Sequence, residues 1–238
     1  MMRNWFIVLI LASFSVAMAQ TSAPAVAPAT TEPAAAAPPD ATTPKGALRL
    51  LMLATNAGDE KTIRSLLYTS APLEEKLADT MAEMSSAVAQ LRKASKDAFG
   101  VEKTNAMMGD TDAAAKANDE ALAKKTETIT GDTAVIDLQG PTGPTSVELK
   151  KVGDIWKFRV GKSLEGAKPD DVERQLAVAG IQVKVFRDLA TDVADGKFKS
   201  IDDMKQTRDA RVRAAVMQYV QDLTKAATQP TTAPAAKP

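Results

Sequence analysis

Residues 127–160 read ETITGDTAVIDLQGPTGPTSVELKKVGDIWKFRV, and this stretch decides the fold class. Apolar side chains occupy every second position in three segments: Ala134, Ile136 and Leu138, then Val147 and Leu149, then Trp156, Phe158 and Val160. A period of two is typical of strands that bury one face and expose the other. Gly131 with Asp132, and Gly153 with Asp154, have the composition of hairpin turns. The stretch therefore predicts a small antiparallel sheet of three to four strands.

Helices are predicted on both sides of these strands, over residues 45–125 and 168–226. Thr43 followed by Pro44 has the composition of a helix N-cap and first turn, and Gly58 that of a helix end. Asp59 then caps a second short helix, which extends through Leu67. The fold class is accordingly α+β and predominantly helical.

One long amphipathic helix is predicted between Ser70, which begins it with the help of Pro72, and Phe99. Its apolar side chains repeat at alternating steps of four and three residues and form what we call the methionine stripe: Leu77, Met81, Met84, Val88 and Leu91. A seam of this kind is typical of helices that pair with a partner protein or a second copy. Neighbouring alanines widen the apolar face, which favours an ordinary helix packed within its own domain. Both interpretations stay open.

A loop is predicted over residues 101–111, followed by a weakly apolar surface helix over residues 112–125. Asp110 and Asp112 lie at the start of this helix and could contribute to a calcium site. Calcium loops need a glycine turn and a terminal bidentate carboxylate at fixed spacing, and both are missing here. Capping of the helix by Asp110 or Thr111 is therefore the favoured interpretation.

The chain after the strands is again predicted to be helical. Pro169 begins one helix, and Gly180 bends it or separates it from a following segment that ends at Gly196. Ser200, with Asp203 three residues later, resembles a capping box and begins the last helix.

The N-terminus has the three parts of a secretory signal peptide over residues 1–19. Arg3 supplies the positive charge, residues 5–16 the apolar run, and residues 17–19 the Ala-Met-Ala cleavage pattern. The run is too short to be a typical membrane span, and no second such run follows. We therefore expect a protein that is exported to the periplasm or beyond the cell, without stable membrane insertion. It is not a lipoprotein, because it has no cysteine.

Two low-complexity segments flank the expected domain. Residues 20–44 and the tail at residues 227–238 consist largely of alanine, proline and threonine, which bury too little surface to offset the entropy of ordering. The sequence therefore predicts a single α+β domain over residues 45–226 between a disordered linker and a disordered tail.

Composition excludes several kinds of chemistry. The sequence contains no histidine and no cysteine, so imidazole catalysis, cysteine nucleophiles and zinc sites built on these residues are excluded. No nucleotide-binding glycine motif occurs. The 30 basic and 30 acidic residues balance, so no net field attracts nucleic acid. We predict no catalytic residues, no cofactor and no metal site.

The residues that remain support only weak catalytic or polymer-binding hypotheses. A histidine-free enzyme would depend on a carboxylate such as Asp137 and on Tyr68 or Tyr219. A basic row at helical spacing on the last helix could contact an anionic envelope polymer: Lys205, Arg208 and Arg211. Interleaved aspartates favour a solvated face of mixed charge for this row.

The order of two short helices, a helical middle, a Gly-Asp-Thr-Ala-Val strand at residues 131–135 and a Gly-Asp-Ile-Trp-Lys-Phe segment at residues 153–158 resembles the nuclear-transport-factor-2-like (cystatin-like) superfamily. That resemblance implies a twisted sheet that encloses a cone-shaped cavity. The long helix and the helices after the last strand depart from the superfamily. With its ending at Phe99-Gly100, the whole pattern is similar to an uncharacterised family of exported bacterial proteins, which implies a location and an architecture rather than a reaction.

Three functions follow as hypotheses. The favoured one is a non-enzymatic interaction or structural module of the envelope or extracellular space, with an envelope protein or a second copy bound through the methionine stripe. The first alternative is a small apolar ligand held in a cavity of the nuclear-transport-factor-2-like kind, with side chains that line either this cavity or simply the core: Trp156, Phe158, Leu149 and Ile136. The second alternative is the histidine-free enzyme.

Overall fold

The structure is a computed structural model that describes residues 40–140 and 143–228. The predicted signal peptide, nearly all of the linker and most of the tail lie outside these residues, as do Pro141 and Thr142 between two strands. The described chain is an α+β fold in which helices dominate, as the sequence predicts. Among the described helices, none has both the length and the hydropathy that a bilayer span requires.

The described residues form seven α-helices: α1 (Pro44–Ala57), α2 (Glu60–Leu66), α3 (Pro72–Phe99), α4 (Val101–Met108), α5 (Thr111–Ala123), α6 (Pro169–Ala194) and α7 (Ile201–Thr228). They also form five strands: β1 (Leu67–Tyr68), β2 (Glu127–Thr130), β3 (Thr133–Gly140), β4 (Gly143–Val152) and β5 (Ile155–Arg159). A short 3₁₀ helix, Val160–Leu164, follows β5.

The five strands make one sheet in the order β1-β5-β4-β3-β2. The four strands from β2 to β5 are antiparallel, as predicted, whereas β1 pairs with β5 in parallel. The prediction that Leu67 is helical is therefore wrong, because Leu67 lies in β1 opposite Phe158. Two residues are too few to show a period of two in the sequence, so this strand could not be recognised there.

One face of the sheet forms the floor of the larger core. Ala134, Ile136 and Leu149 are almost completely buried on this face. The backbone N–H of Trp156 donates to the carbonyl of Ala41 at 2.7 Å, which fixes the chain just before α1 to the edge of β5. Helices α1 and α2 and the first half of α3 cover this face.

Helix α3 lies between the other helices and is the element that they share. Helix α6 packs along most of its length, and α1 and α2 contact a different side. The close approach of α1 occurs at Gly58, where a Cβ atom would lie 2.6 Å from the Cβ of Ala89 and 3.0 Å from the Cα of Ser86. A second, smaller core forms where the C-terminal half of α3 meets α6 and α7, around Leu91, Leu189 and Met204.

Local capping largely follows the sequence. The side chain of Thr43 accepts from the N–H of Gly46 at 3.1 Å, and that of Asp59 accepts from the N–H of Thr62 at 3.0 Å. Ser200 likewise accepts from the N–H of Asp203 at 3.2 Å. These three predicted caps are confirmed.

The predicted start of the long helix at Ser70 is two residues early. The helix begins at Pro72, and its N-cap, Ala71, makes no side-chain hydrogen bond. Ser70 instead donates its N–H and its hydroxyl to Oε2 of Glu74, at 2.6 and 3.0 Å. The carboxylate of Glu74 thus binds the residue before the N-cap rather than an N–H group of the first helical turn.

The predicted loop at residues 101–111 is wrong, because most of it is helix α4. Gly100 has a φ of 88°, a conformation that favours glycine, and the chain changes direction there. Thr104 then donates its N–H and its hydroxyl to the carbonyl of Gly100 at 3.2 and 2.9 Å. Met107 and Met108 pack against the smaller core, and this tertiary contact stabilises a helix whose sequence has little apolar periodicity.

The predicted separation at Gly180 does not occur, and α6 continues through this residue to Ala194, two residues before the expected end at Gly196. Ala179 and Val183 on either side are buried, so their packing holds the helix together where glycine is a poor helix former. Helix α7 is anchored through Met204, whereas its C-terminal half exposes apolar side chains: Met217, Val220 and Leu223.

Two glycine substitutions test the packing of α1 against α3. Gly58→Ala is expected to lower the free energy of unfolding by about 2 kcal/mol or more, because φ is 69° and the new methyl group meets α3. Gly180→Ala is the matched control, since nothing lies within 4 Å of its added Cβ. This change is expected to raise the free energy of unfolding by about 0.5–1 kcal/mol.

Urea unfolding followed by circular dichroism measures both effects. A Gly58→Ala variant as stable as the unmodified protein would contradict the close approach of α1 to α3.

Candidate ligand cleft

An apolar cleft with a volume of about 270 Å³ opens between α3 and the helices around it. We call it the helical cleft. Most of its lining is apolar: Leu77, Met81, Met84, Val88, Ala89, Leu91, Met107, Met108 and Phe186. Polar residues also contribute to it: Thr55, Asn56, Thr80, Ser85, Arg92, Thr111 and Arg208. The cleft is therefore built by residues from α1, α3, α4, α5, α6 and α7.

The methionine stripe forms one wall of this cleft, since all five of its residues line it. Leu77 and Leu91, at the two ends, are buried, and the three residues between them are half-buried. The exposed residues of α3, such as Glu83, Gln90 and Lys93, lie on other sides of the helix. The structure thus places the stripe against its own domain, with its central part open to the cleft.

Helix α4 supplies the other two methionines of the cleft, and Arg92 fixes the end of this helix. Nη1 of Arg92 donates to the carbonyl of Gly109 at 2.6 Å, and Nη2 donates to the carbonyl of Met108 at 3.0 Å. The last carbonyls of a helix lack partners within the helix, so a guanidinium is well suited to bind them. Sequence reasoning missed this wall because the segment was predicted to be a loop.

Most hydroxyl groups of the cleft are already bonded within their own helices. Thr55 donates to Leu51, Thr80 to Lys76 and Ser85 to Met81, in each case to the carbonyl one turn earlier and at 2.8 or 2.9 Å. Residues of this type then present mainly carbon atoms to their surroundings. The charged groups of the lining are the two guanidinium groups, and Asn56 and Thr111 add neutral polar groups.

Both guanidinium groups also interact with aspartates that lie outside the cleft lining. Burial lowers the pKa of Arg92, and the charges of Asp110 and Asp112 act in the opposite direction. Arg208 pairs with the carboxylate of Asp209 through Nε at 2.9 Å and Nη2 at 2.8 Å. No aspartate or glutamate is among the described residues that line the cleft, so the charges on its wall are positive.

A shallower depression of about 450 Å³ continues from the cleft along the outer side of α3. It shares Arg92 and Asn56 with the cleft and adds Lys93, Lys96 and Asp97. Lys93 pairs with Asp97 at 2.7 Å. The depression therefore extends the positively charged end of the cleft towards solvent.

The four sheet residues that could line a ligand cavity lie in the main core. Trp156, Leu149 and Ile136 expose 4%, 1% and 0% of their surface, and Phe158 is half-buried among them. Neither the helical cleft nor the depression is lined by a residue of the sheet. The structure thus separates these residues from the cleft.

The residues of the enzyme hypothesis are not brought together. Asp137 is exposed on β3, whereas Tyr68 lies on β1, three strands away in the sheet order. Three strand spacings amount to roughly 14 Å. Tyr219 lies on the part of α7 that extends beyond the smaller core.

The aspartates considered for calcium have a structural role. Asp110 accepts hydrogen bonds from the N–H groups of Asp112 and Ala113, at 3.0 and 3.1 Å, and so caps α5. These hydrogen bonds hold the pKa of Asp110 below its ordinary value. Across residues 40–140 and 143–228, no cluster of three or more carboxylates is placed to hold a metal ion.

Helix α7 reaches the cleft because an ion-pair cluster ties it to α6. The Oδ1 atom of Asp192 lies 2.6 Å from Nζ of Lys197, and its Oδ2 atom lies 2.6 Å from Nη1 of Arg211. The hydrogen bond from Lys197 contributes most to lowering the pKa of Asp192 below its ordinary value, and the hydrogen bond from Arg211 contributes next. Arg208, three residues before Arg211, is thereby held beside the cleft.

Comparison with family models, with curated proteins and with solved structures finds nothing similar to this chain. The resemblance to the nuclear-transport-factor-2-like superfamily therefore stays a prediction, and the function of the cleft is argued from its own residues.

Replacement of Asp192 tests the attachment of α7. Asp192→Asn is expected to lower the free energy of unfolding at neutral pH by about 0.5–1 kcal/mol, because two partly exposed ion pairs are lost. A carboxylate whose pKa is lowered by folding stabilises the folded state above its ordinary pKa, and this stabilisation disappears as the pH falls through the lowered value. The difference between the two proteins should therefore shrink as the pH falls from about 5 towards 2.

Urea unfolding at a series of pH values measures this difference. Asp188→Asn, one turn earlier on α6 and exposed, is the matched control and should change stability little at any of these pH values. A difference between Asp192→Asn and the unmodified protein that is the same at every pH would contradict the ion-pair explanation.

Proposed function

We propose that this protein is an exported binding protein that holds a small apolar molecule in the helical cleft. The observation that carries the proposal is the cleft itself, in which nine apolar side chains from three helices surround about 270 Å³ of open volume. A concave, mostly apolar pocket with a few polar groups is the usual form of a small-molecule site. The statement that the protein is exported rests only on the signal peptide predicted from the sequence.

The size and composition of the cleft indicate the kind of ligand. Pockets for drug-sized molecules typically measure about 300–1,000 Å³, and this cleft is slightly smaller, so it suits a ligand that is smaller than most drugs. Four of its lining residues are methionines, whose flexible thioether side chains adapt to ligands of different shapes. Burial of apolar ligand surface supplies about 25 cal/mol for each Å² removed from water.

This proposal differs from the ligand hypothesis that the sequence suggested. In the sequence-based hypothesis the ligand lies beside Trp156 in a cavity enclosed by the sheet, whereas in the proposed function it lies between helices. The interaction module stays a prediction, and the exposed side chains of Met217, Val220 and Leu223 on α7 are a surface that would support it. The enzyme hypothesis has less support, because its residues lie apart.

A fluorescent apolar probe tests the proposed function. N-phenyl-1-naphthylamine is uncharged, and its emission increases when it enters an apolar site. We expect it to bind the purified protein with one-to-one stoichiometry. Met84→Trp fills the middle of the cleft with a larger side chain and should abolish this binding.

Met217→Trp is the matched control, since it introduces the same residue on the exposed part of α7, where it should leave binding unchanged. Val88→Trp is a second variant that fills the cleft, in case Met84→Trp fails to fold. Probe binding that persists in a folded cleft-filling variant would show that the cleft is not the site, and an absence of binding to the unmodified protein would overturn the proposal.

A further inference from the structure

The two guanidinium groups of the helical cleft lie near the same end of it. Ser95 on α3 and Met204 on α7 are in contact, with the hydroxyl of Ser95 3.5 Å from the sulfur of Met204. Arg92 lies about one turn before Ser95 on α3, and Arg208 lies one turn after Met204 on α7. Both arginines therefore line the cleft within about one helical turn of the same contact between α3 and α7.

The other end of the cleft is uncharged. From Leu77 to Arg92 the cleft follows α3 for about 22 Å, at 1.5 Å per residue. The lining near Leu77 consists of Thr80, Met81 and Met84, and the hydroxyl of Thr80 is bonded to its own helix. The cleft is thus apolar at one end and cationic at the other.

The arginines keep donors for a ligand. A guanidinium has five N–H donors, and two of those of Arg92 go to the carbonyls of Met108 and Gly109. Arg208 directs Nε and Nη2 to Asp209, and its Nη1 atom is in neither contact. Asp110 and Asp112, which act on the charge of Arg92, are not among the residues that line the cleft.

Resting on the proposed function, we infer that the ligand is a small amphiphile with an anionic oxygen head group. The head group binds Arg92 and Arg208, and the apolar body lies along the methionine stripe. Guanidinium groups bind carboxylates and phosphates with charge-assisted hydrogen bonds, which are stronger than neutral ones. The apolar body covers these bonds and lowers their exposure to water.

Three unbranched ligands of eight carbon atoms each test this inference by isothermal titration calorimetry. Octanoate and octyl phosphate are anionic, and 1-octanol is the uncharged comparison. We expect at least one of the anions to bind the unmodified protein about tenfold more tightly than 1-octanol, the gain typical of a charge-assisted bond. The two anions together show whether the head group is a carboxylate or a phosphate.

Arg208→Gln should remove most of this advantage and leave the affinity for 1-octanol unchanged. Arg213→Gln is the matched control, since Arg213 is exposed on the same helix and outside the cleft, and it should retain the full advantage. Arg92→Met should have the same effect as Arg208→Gln. Arg208 binds Asp209 rather than the end of a helix, so its replacement keeps the test valid if loss of Arg92 unfolds α4.

The outcomes separate the inference from the proposed function. If 1-octanol binds as tightly as both anions, the cleft takes an apolar ligand and the anionic head group is wrong. If the anions bind more tightly but Arg208→Gln and a folded Arg92→Met variant do not change this, they bind elsewhere and the inference is overturned. If none of the three ligands binds and the naphthylamine probe does not bind either, the proposed function itself fails.

Discussion

The close approach of α1 to α3 at Gly58 is the contact on which the arrangement of the helices depends. Gly58 has a φ of 69° and lies against Ser86 and Ala89, where any larger residue would push the two helices apart. On another side of α3, Arg187 of α6 lies 3.9 Å from Glu83, and Ala87, one turn later, is fully buried. Small side chains on α3 thus allow helices to pack closely on two of its sides.

The helical cleft follows from these two contacts. The methionine stripe lies on the part of α3 between α1 and α6, where its central residues are half-buried and open to the cleft. Arg92 holds the end of α4 over this part of α3, and Asp192 holds α7 beside it through Arg211. The walls of the cleft are therefore fixed by polar contacts at its rim, while its interior is mostly apolar.

The sequence predicted those features that depend on neighbouring residues. The caps at Thr43 and Asp59 could be recognised because a capping side chain bonds a backbone N–H only two or three residues away. The strands from β2 to β5 could be recognised because alternation is a local pattern. Helix α4 could not, since its packing against α3 and α7 determines its conformation. The sequence around Arg208 likewise predicts a solvated face, because the residues that form the cleft with it are distant in sequence.

The methionine stripe shows what the spacing of apolar residues can predict and what it cannot. Its spacing correctly marks one face of α3, but it does not say whether a partner, a second copy or the same chain covers that face. The answer depends on distances between helices, which the small residues at Gly58, Ala87 and Ala89 set. In the structure the same chain covers this face only in part, and the central residues of the methionine stripe are half-buried.

Methyl NMR of the methionines in the presence of a soluble paramagnetic chelate tests most directly whether the cleft is open in solution. Met217 exposes 57% of its surface and Met204 exposes 0%, so they are internal references for full access and full protection. Met81, Met84, Met107 and Met108 should show relaxation enhancement between these two references. Enhancement of these four as weak as that of Met204 would mean that side chains fill the cleft, and this result would contradict the account.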